Sequence, residues 1–146
     1  MKQVVFYETG LPENVLQLEE VEMPSPAKGE ALIRITARNI NPSDVMFVQG
    51  LYGITPKLPS SAGFEAAGVI EKSEKFPTGT RVLFTSVGTW KEYTCIPDAG
   101  LIPIPEGMSD EVACQAFVNP VTAYGMLETS GLGKGGALLI TAGASA

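Results

Sequence analysis

The chain has 146 residues, 45% of them hydrophobic and 18% charged, with a net charge of −6; this balance fits one soluble globular domain and excludes a disordered chain. No Lys/Arg cluster is present to neutralise phosphates, which argues against a nucleic-acid binder, and no apolar run is long enough for a membrane span. Histidine is absent, which removes the usual general base at neutral pH and the commonest transition-metal ligand.

The first hundred residues read as short strands between turns. Residues 2–7 form a plausible opening strand, and 15–22 a second that Met23-Pro24-Ser25-Pro26 breaks. Residues 30–39 alternate most clearly, with Ile33, Ile35 and Ala37 on one face and Arg34, Thr36 and Arg38 on the other. In the segment from Asn41 to Gly53, Asn41 precedes a proline and is expected to be extended, Ser43 reads as a helix cap, and Gly50 reads as a stop. Tyr52 then stands on a glycine-flanked loop. Residues 64–72, 80–85 and 89–95 continue the strand pattern, with Pro77-Thr78-Gly79-Thr80 as a turn. Cys95 and Cys114 lack a CxxC spacing and read as small apolar core residues with free thiols, a disulfide between them being the alternative. Strands this short and this numerous suggest a sandwich or a partly open barrel.

The last third changes character. Ser109 is a good N-cap, with Asp110 and Glu111 in the first turn, where the helix dipole favours negative charge. Asn119 reads as the cap of a second helix, Pro120 as its first residue and Gly131 as its end. Residues 137–141 are continuously apolar, as in a strand covered on both faces, and residues 142–146 begin a tight turn. A strand followed by a small-residue turn is the front half of a βαβ dinucleotide site, but from these residues alone a plain loop is the better reading.

Together these stretches resemble the medium-chain dehydrogenase/reductase superfamily, and within it the zinc-independent branch of quinone oxidoreductases and 2-enoyl-thioester reductases. The resemblance implies a mainly β chain with some α. Residues 1–117 would be a GroES-like, partly open β-barrel, and 118–146 the first helix and strand of a truncated Rossmann domain. Arg38-Asn39-Ile40-Asn41-Pro42-Ser43-Asp44 is similar to the segment that carries the first zinc-binding cysteine of the alcohol dehydrogenase branch, with Asn41 in that place. Gly63-Phe64-Glu65 is similar to that branch's Gly-His-Glu, with Phe64 replacing the histidine, and Val118 falls where the third ligand would be. These departures imply chemistry without zinc. The enoyl reductase pattern N-P-S-D-x-x-x-x-Q-G-x-Y-G puts the catalytic tyrosine at Tyr52. Asn119-Pro120-Val121-Thr122-Ala123-Tyr124 is similar to N-P-x-T-A-Y, whose asparagine contacts the nicotinamide half of NADPH. Ala144, Ser145 and Ala146 fall on the start of the pyrophosphate turn.

The resemblance therefore implies an NADPH-dependent reductase of an enoyl thioester or a quinone. Tyr52 would be the proton donor, with Asn41, Asn119 and residues 144–146 on the cofactor. A small-molecule substrate, no nucleic acid or membrane partner, a homo-oligomer and a cytoplasmic setting are the matching expectations. Each residue also has a plainer reading: Tyr52 as a loop aromatic covering the barrel end, and Asn119 as a helix cap only. The rival function is a stand-alone binding or assembly module without catalysis. The chain by itself is expected to be inactive, with its apolar residues 137–141 docked on a neighbouring chain, folded back on the barrel, or associated.

Overall fold

The computed structural model describes residues 1–141; the expectations placed on 142–146, including Ala144, Ser145 and Ala146 as cofactor residues, lie outside the described residues. The centre of the molecule is a five-stranded antiparallel sheet in the order β6-β3-β4-β5-β7. Its strands are β3 (Glu30–Arg38), β4 (Glu65–Lys72), β5 (Arg81–Thr85), β6 (Tyr93–Pro97) and β7 (Ile102–Pro103). A separate pair, β1 (Lys2–Val5) and β2 (Gln17–Glu20), joins this sheet through the bridge between Gln3 and Lys91. The two sheets do not close on each other, in keeping with the partly open barrel expected from the sequence.

The alternation in β3 decides which face is inside. Ala31, Ile33 and Ile35 are buried with Ala66, Ile70, Val82, Phe84, Ile96 and Leu101, while Arg34 and Thr36 face outward. β4 is covered on both faces: Ala67 turns the other way, onto Leu83, Ala113 and Cys114 beneath the short helix α3 (Asp110–Ala113). Gly68 is what lets β3 and β4 approach, since a Cβ there would stand 2.6 Å from the Arg34 carbonyl oxygen. A third cluster, Phe6, Val15, Phe47, Val48 and Ala62, packs helices α1 (Pro12–Val15) and α2 (Pro42–Gln49) on the barrel end.

Several local expectations are corrected. Val15 ends the helical turn of residues 12–15 rather than opening a strand, and of the strand expected over 15–22 only Gln17–Glu20 forms as β2. β6 begins at Tyr93 because Trp90 is already engaged elsewhere, its N–H donating to the Ala62 carbonyl at 3.0 Å. The cap of α2 is Asn41, extended as expected before proline (φ −94°, ψ 156°), rather than Ser43, which is the second residue of the helix. Gly50 ends α2 in the left-handed conformation at φ 73°.

Helix α4 (Val118–Ser130) starts before its expected cap. Phe117 is the N-cap, and Asn119 lies inside the first turn with Pro120 after it. Proline is tolerated there because the first-turn N–H groups have no intrahelical acceptor. Residues 137–141 pair with no strand among the described residues, and Leu139 is 88% exposed, so they do not fold back on the barrel. No helix among the described residues is long and apolar enough to cross a membrane.

Candidate active site

Four elements meet around a cleft of about 320 Å³. Ser43 comes from the first turn of α2, and Tyr52 and Ile54 from the loop after it; Phe64 comes from the approach to β4, and Thr85, Ser86 and Val87 from the end of β5. Val118, the first residue of α4, completes the lining. Tyr52 is 38% exposed, with its ring 5.4 Å from that of Phe64. Phe64 meets Phe47 edge-on at 5.1 Å, and Phe47 meets Phe6 the same way at 5.9 Å. A chain of four rings thus runs from the buried core to the cleft, each contact worth about 0.5–1.5 kcal/mol beyond the area it buries.

The residues singled out from sequence are only partly brought together. Tyr52 lines the cleft. Asn41 is half-buried at the N-cap of α2 and does not line it; its backbone N–H donates to Asp44 Oδ2 at 2.6 Å. Asn119 follows Val118 but is exposed and outside the lining.

Behind the cleft lie two buried carboxylates that the sequence reading gave no role. Glu65 is 2% exposed; its Oε1 accepts from Asn39 Nδ2 at 2.5 Å and its Oε2 from the Val118 N–H at 2.9 Å. Asn39 is held in turn by Trp90, whose Nε1 donates to its carbonyl at 3.2 Å. Asp44 is fully buried and its Oδ1 has no partner among the described residues. Two signals were available: Asp44 stands three residues after Asn41, the spacing of a capping box, and Glu65 opens the apolar run Ala66-Ala67-Gly68-Val69-Ile70.

Burial pushes the Asp44 carboxyl above the ordinary carboxylate value; the Asn41 N–H pulls it down, the Glu65 carboxylate raises it, and the Phe64 N–H lowers it less. The folded state therefore holds a proton that the unfolded chain has already released, and stability falls as pH rises from about 4 through the raised value. Acidification from neutral pH should accordingly stabilise the fold before the remaining carboxylates titrate. Asp44→Asn keeps an acceptor for the Asn41 N–H and should abolish that gain. Denaturant midpoints followed downward from pH 7 towards about 4 check this; an unchanged pH slope in the variant would rule out Asp44 as its source. Asp110 behaves oppositely. Burial alone would raise it, but the Thr36 hydroxyl and the Arg81 guanidinium hold it below the usual range, so its contribution is lost only at lower pH.

Residues 27–106 match the alcohol dehydrogenase GroES-like domain family. The chain belongs to that family. Over 131 residues it is 34% identical to the mitochondrial enoyl-[acyl-carrier-protein] reductase of Caenorhabditis elegans, an alignment covering 86% of this chain and 38% of the relative. The crystal structure of human synaptic vesicle membrane protein VAT-1 homolog-like protein superposes with a TM-score of 0.81 at 34% identity, covering 90% of this chain and 44% of that one. The Escherichia coli quinone oxidoreductase complexed with NADPH superposes with a TM-score of 0.78 at 30% identity, covering 89% of this chain and 41% of that one. These relatives put the chain in the medium-chain dehydrogenase/reductase superfamily, on the side of the quinone oxidoreductases and enoyl reductases. The chain spans about two fifths of the length of the relatives it matches.

Within this family fold the donor set near the cleft is hydroxyl and carboxylate. Among the described residues no group of three His, Cys, Asp or Glu side chains converges as a metal site. Both thiols are free, and burial pushes each above its ordinary value, so neither is an activated nucleophile at neutral pH. α3 is fastened to the barrel by Asp110, which accepts from Arg81 Nε at 2.8 Å and from the Thr36 hydroxyl at 2.6 Å.

Proposed function

We propose that this segment is the barrel part of an NADPH-dependent, zinc-independent oxidoreductase that reduces an enoyl thioester or a quinone, with Tyr52 as the proton donor. The observation that carries the proposal is that Tyr52 and the first residue of α4 line one cleft. The cleft residues fit the nicotinamide end of the cofactor. Phe64 and Val118 offer an apolar wall for a flat ring, and Ser43, Thr85 and Ser86 supply hydroxyls for a carboxamide or a substrate oxygen. NADPH, when bound, supplies the hydride. Tyr52 holds a proton at Oη for the α-carbon, and the hydroxyls are donors for the enolate oxygen that develops beside it. Ile54 and Val87 add apolar lining to the same space.

The absence of zinc is part of the proposal, supported by Asn41 and Phe64 standing where the zinc-binding branch has Cys and His. So is the division at residue 117, with 1–117 as the catalytic barrel and 118 onward as the start of the nucleotide-binding part. Asn41 and Asn119 belong to the proposal as cofactor contacts, both within a few residues of the cleft lining. Apolar residues on α4, among them Val121 and Met126, are exposed and offer a surface for the rest of that part or for a second copy.

Ligand titration of the 146-residue chain tests this. Calorimetry should show no micromolar NADPH binding, because the chain spans only about two fifths of its relatives. At millimolar NADPH, amide and ring shifts should cluster on Tyr52, Phe64, Thr85 and Val118. Shifts confined instead to the cleft lined by Thr36, Arg38, Glu111 and Gln115 would overturn the assignment.

A further inference from the structure

The first turn of α4 has N–H groups that its own helix cannot satisfy. Pro120 has none, and the Val121 N–H already donates to the Phe117 carbonyl at 3.1 Å. The Val118 N–H is met from outside the helix, by Glu65 Oε2 at 2.9 Å. Among the described residues this is the one hydrogen bond that joins α4 to the barrel. Negative charge at this end of a helix is also favoured by the aligned peptide dipoles.

Glu65 is equipped for the task. It is the first residue of β4, and the neighbouring Phe64 lines the same cleft as Val118. Both groups arriving at its carboxylate are donors, one to each oxygen, so each has an acceptor. Asn39 fixes the orientation of the carboxylate, and Trp90 fixes Asn39. At 2% exposure no water competes for these bonds.

The geometry points to Glu65 as a positioning residue of the site: its carboxylate, oriented by Asn39, holds the first N–H of α4 against the barrel and so sets Val118 on the cleft that Tyr52 lines. The consequence for reduction rests on the reading of that cleft as a reductive site; the link itself does not. Glu65 touches no reacting atom in this account. It determines the distance between the wall that carries the phenol and the wall that α4 begins.

Amide hydrogen exchange in the 146-residue chain, read by NMR, tests the link. In the unaltered chain the Val118 amide should exchange about tenfold or more slowly than that of Asn119, its exposed neighbour, because a hydrogen bond to a charged acceptor is among the stronger kinds. Glu65→Leu removes both acceptors and should speed Val118 exchange by about tenfold or more, leaving the β3–β4 amides unchanged. Glu65→Gln keeps one acceptor for the Val118 N–H, and Asn39 can turn its carbonyl oxygen to the new amide group. This conservative variant should therefore stay within about threefold of the unaltered chain. Unprotected Val118 in the unaltered chain, unchanged exchange in folded Glu65→Leu, or Glu65→Gln exchanging as fast as Glu65→Leu would each overturn the proposal. Should Glu65→Leu lose its dispersed barrel signals, the comparison of Val118 with Asn119 decides. Failure of the reductase reading would appear in turnover and leave these exchange rates untouched.

Discussion

Phe47→Ala should destabilise the chain by about 3–5 kcal/mol, the usual cost of deleting a buried aromatic ring and leaving part of the space empty. Phe47 is 2% exposed and stands between Phe6 and Phe64, edge-on to both. Its loss removes the packing of α2 on the barrel end, in a cluster that also holds Val15, Val48 and Ala62. It also removes the support of Phe64, whose other side carries Tyr52. For a domain with a total stability of about 5–15 kcal/mol that is a large share, and the thermal midpoint should drop by on the order of 10 °C. Chemical denaturation of the variant measures it directly. A loss below about 1 kcal/mol would mean that the cluster collapses without cost and that the ring chain does not hold the cleft. Leu139→Ala is the contrast: at 88% exposure it should cost almost nothing.

What could be read from the sequence follows from how local its causes are. The alternation of β3 names its buried face because side chains on a strand repeat every two residues, and the structure buries Ile33 and Ile35 as that pattern requires. Gly50 and Gly131 both end their helices with positive φ, as the residue type alone suggests. The start of α4 was not readable in this way. Its N–H partner, Glu65, is 53 positions away in the chain, so local capping chemistry pointed to Asn119 instead. The strand expected at 137–141 is a similar case: an apolar run becomes a strand only where another strand pairs with it, and none among the described residues does. For the cleft, the spacing from Asn41 to Tyr52 placed the phenol on the loop after α2, and the structure has it on the lining. The hydroxyls of Thr85 and Ser86 carried no such pattern, since they reach the cleft through the pairing of β5 with β4 rather than through any motif.

Tyr52→Phe carries the other large expected effect. The substitution removes one oxygen and leaves the ring against Phe64 at the same place, so folding should not change. An enolate must receive a proton at carbon, and a placed general acid contributes about 10²–10⁴-fold to such a step. A quinone reduced to a hydroquinone takes its protons at oxygen, where water serves readily. The variant, assayed with a complete nucleotide-binding domain present, should therefore lose about 10²-fold or more in enoyl-thioester reduction and less than about tenfold in quinone reduction.

The ratio of those two rates in Tyr52→Phe against the unaltered protein is the most direct measure of whether the cleft phenol is a proton donor. That ratio should fall by at least about tenfold. Full activity on both substrates would contradict it and leave Tyr52 as an aromatic cover for the barrel end.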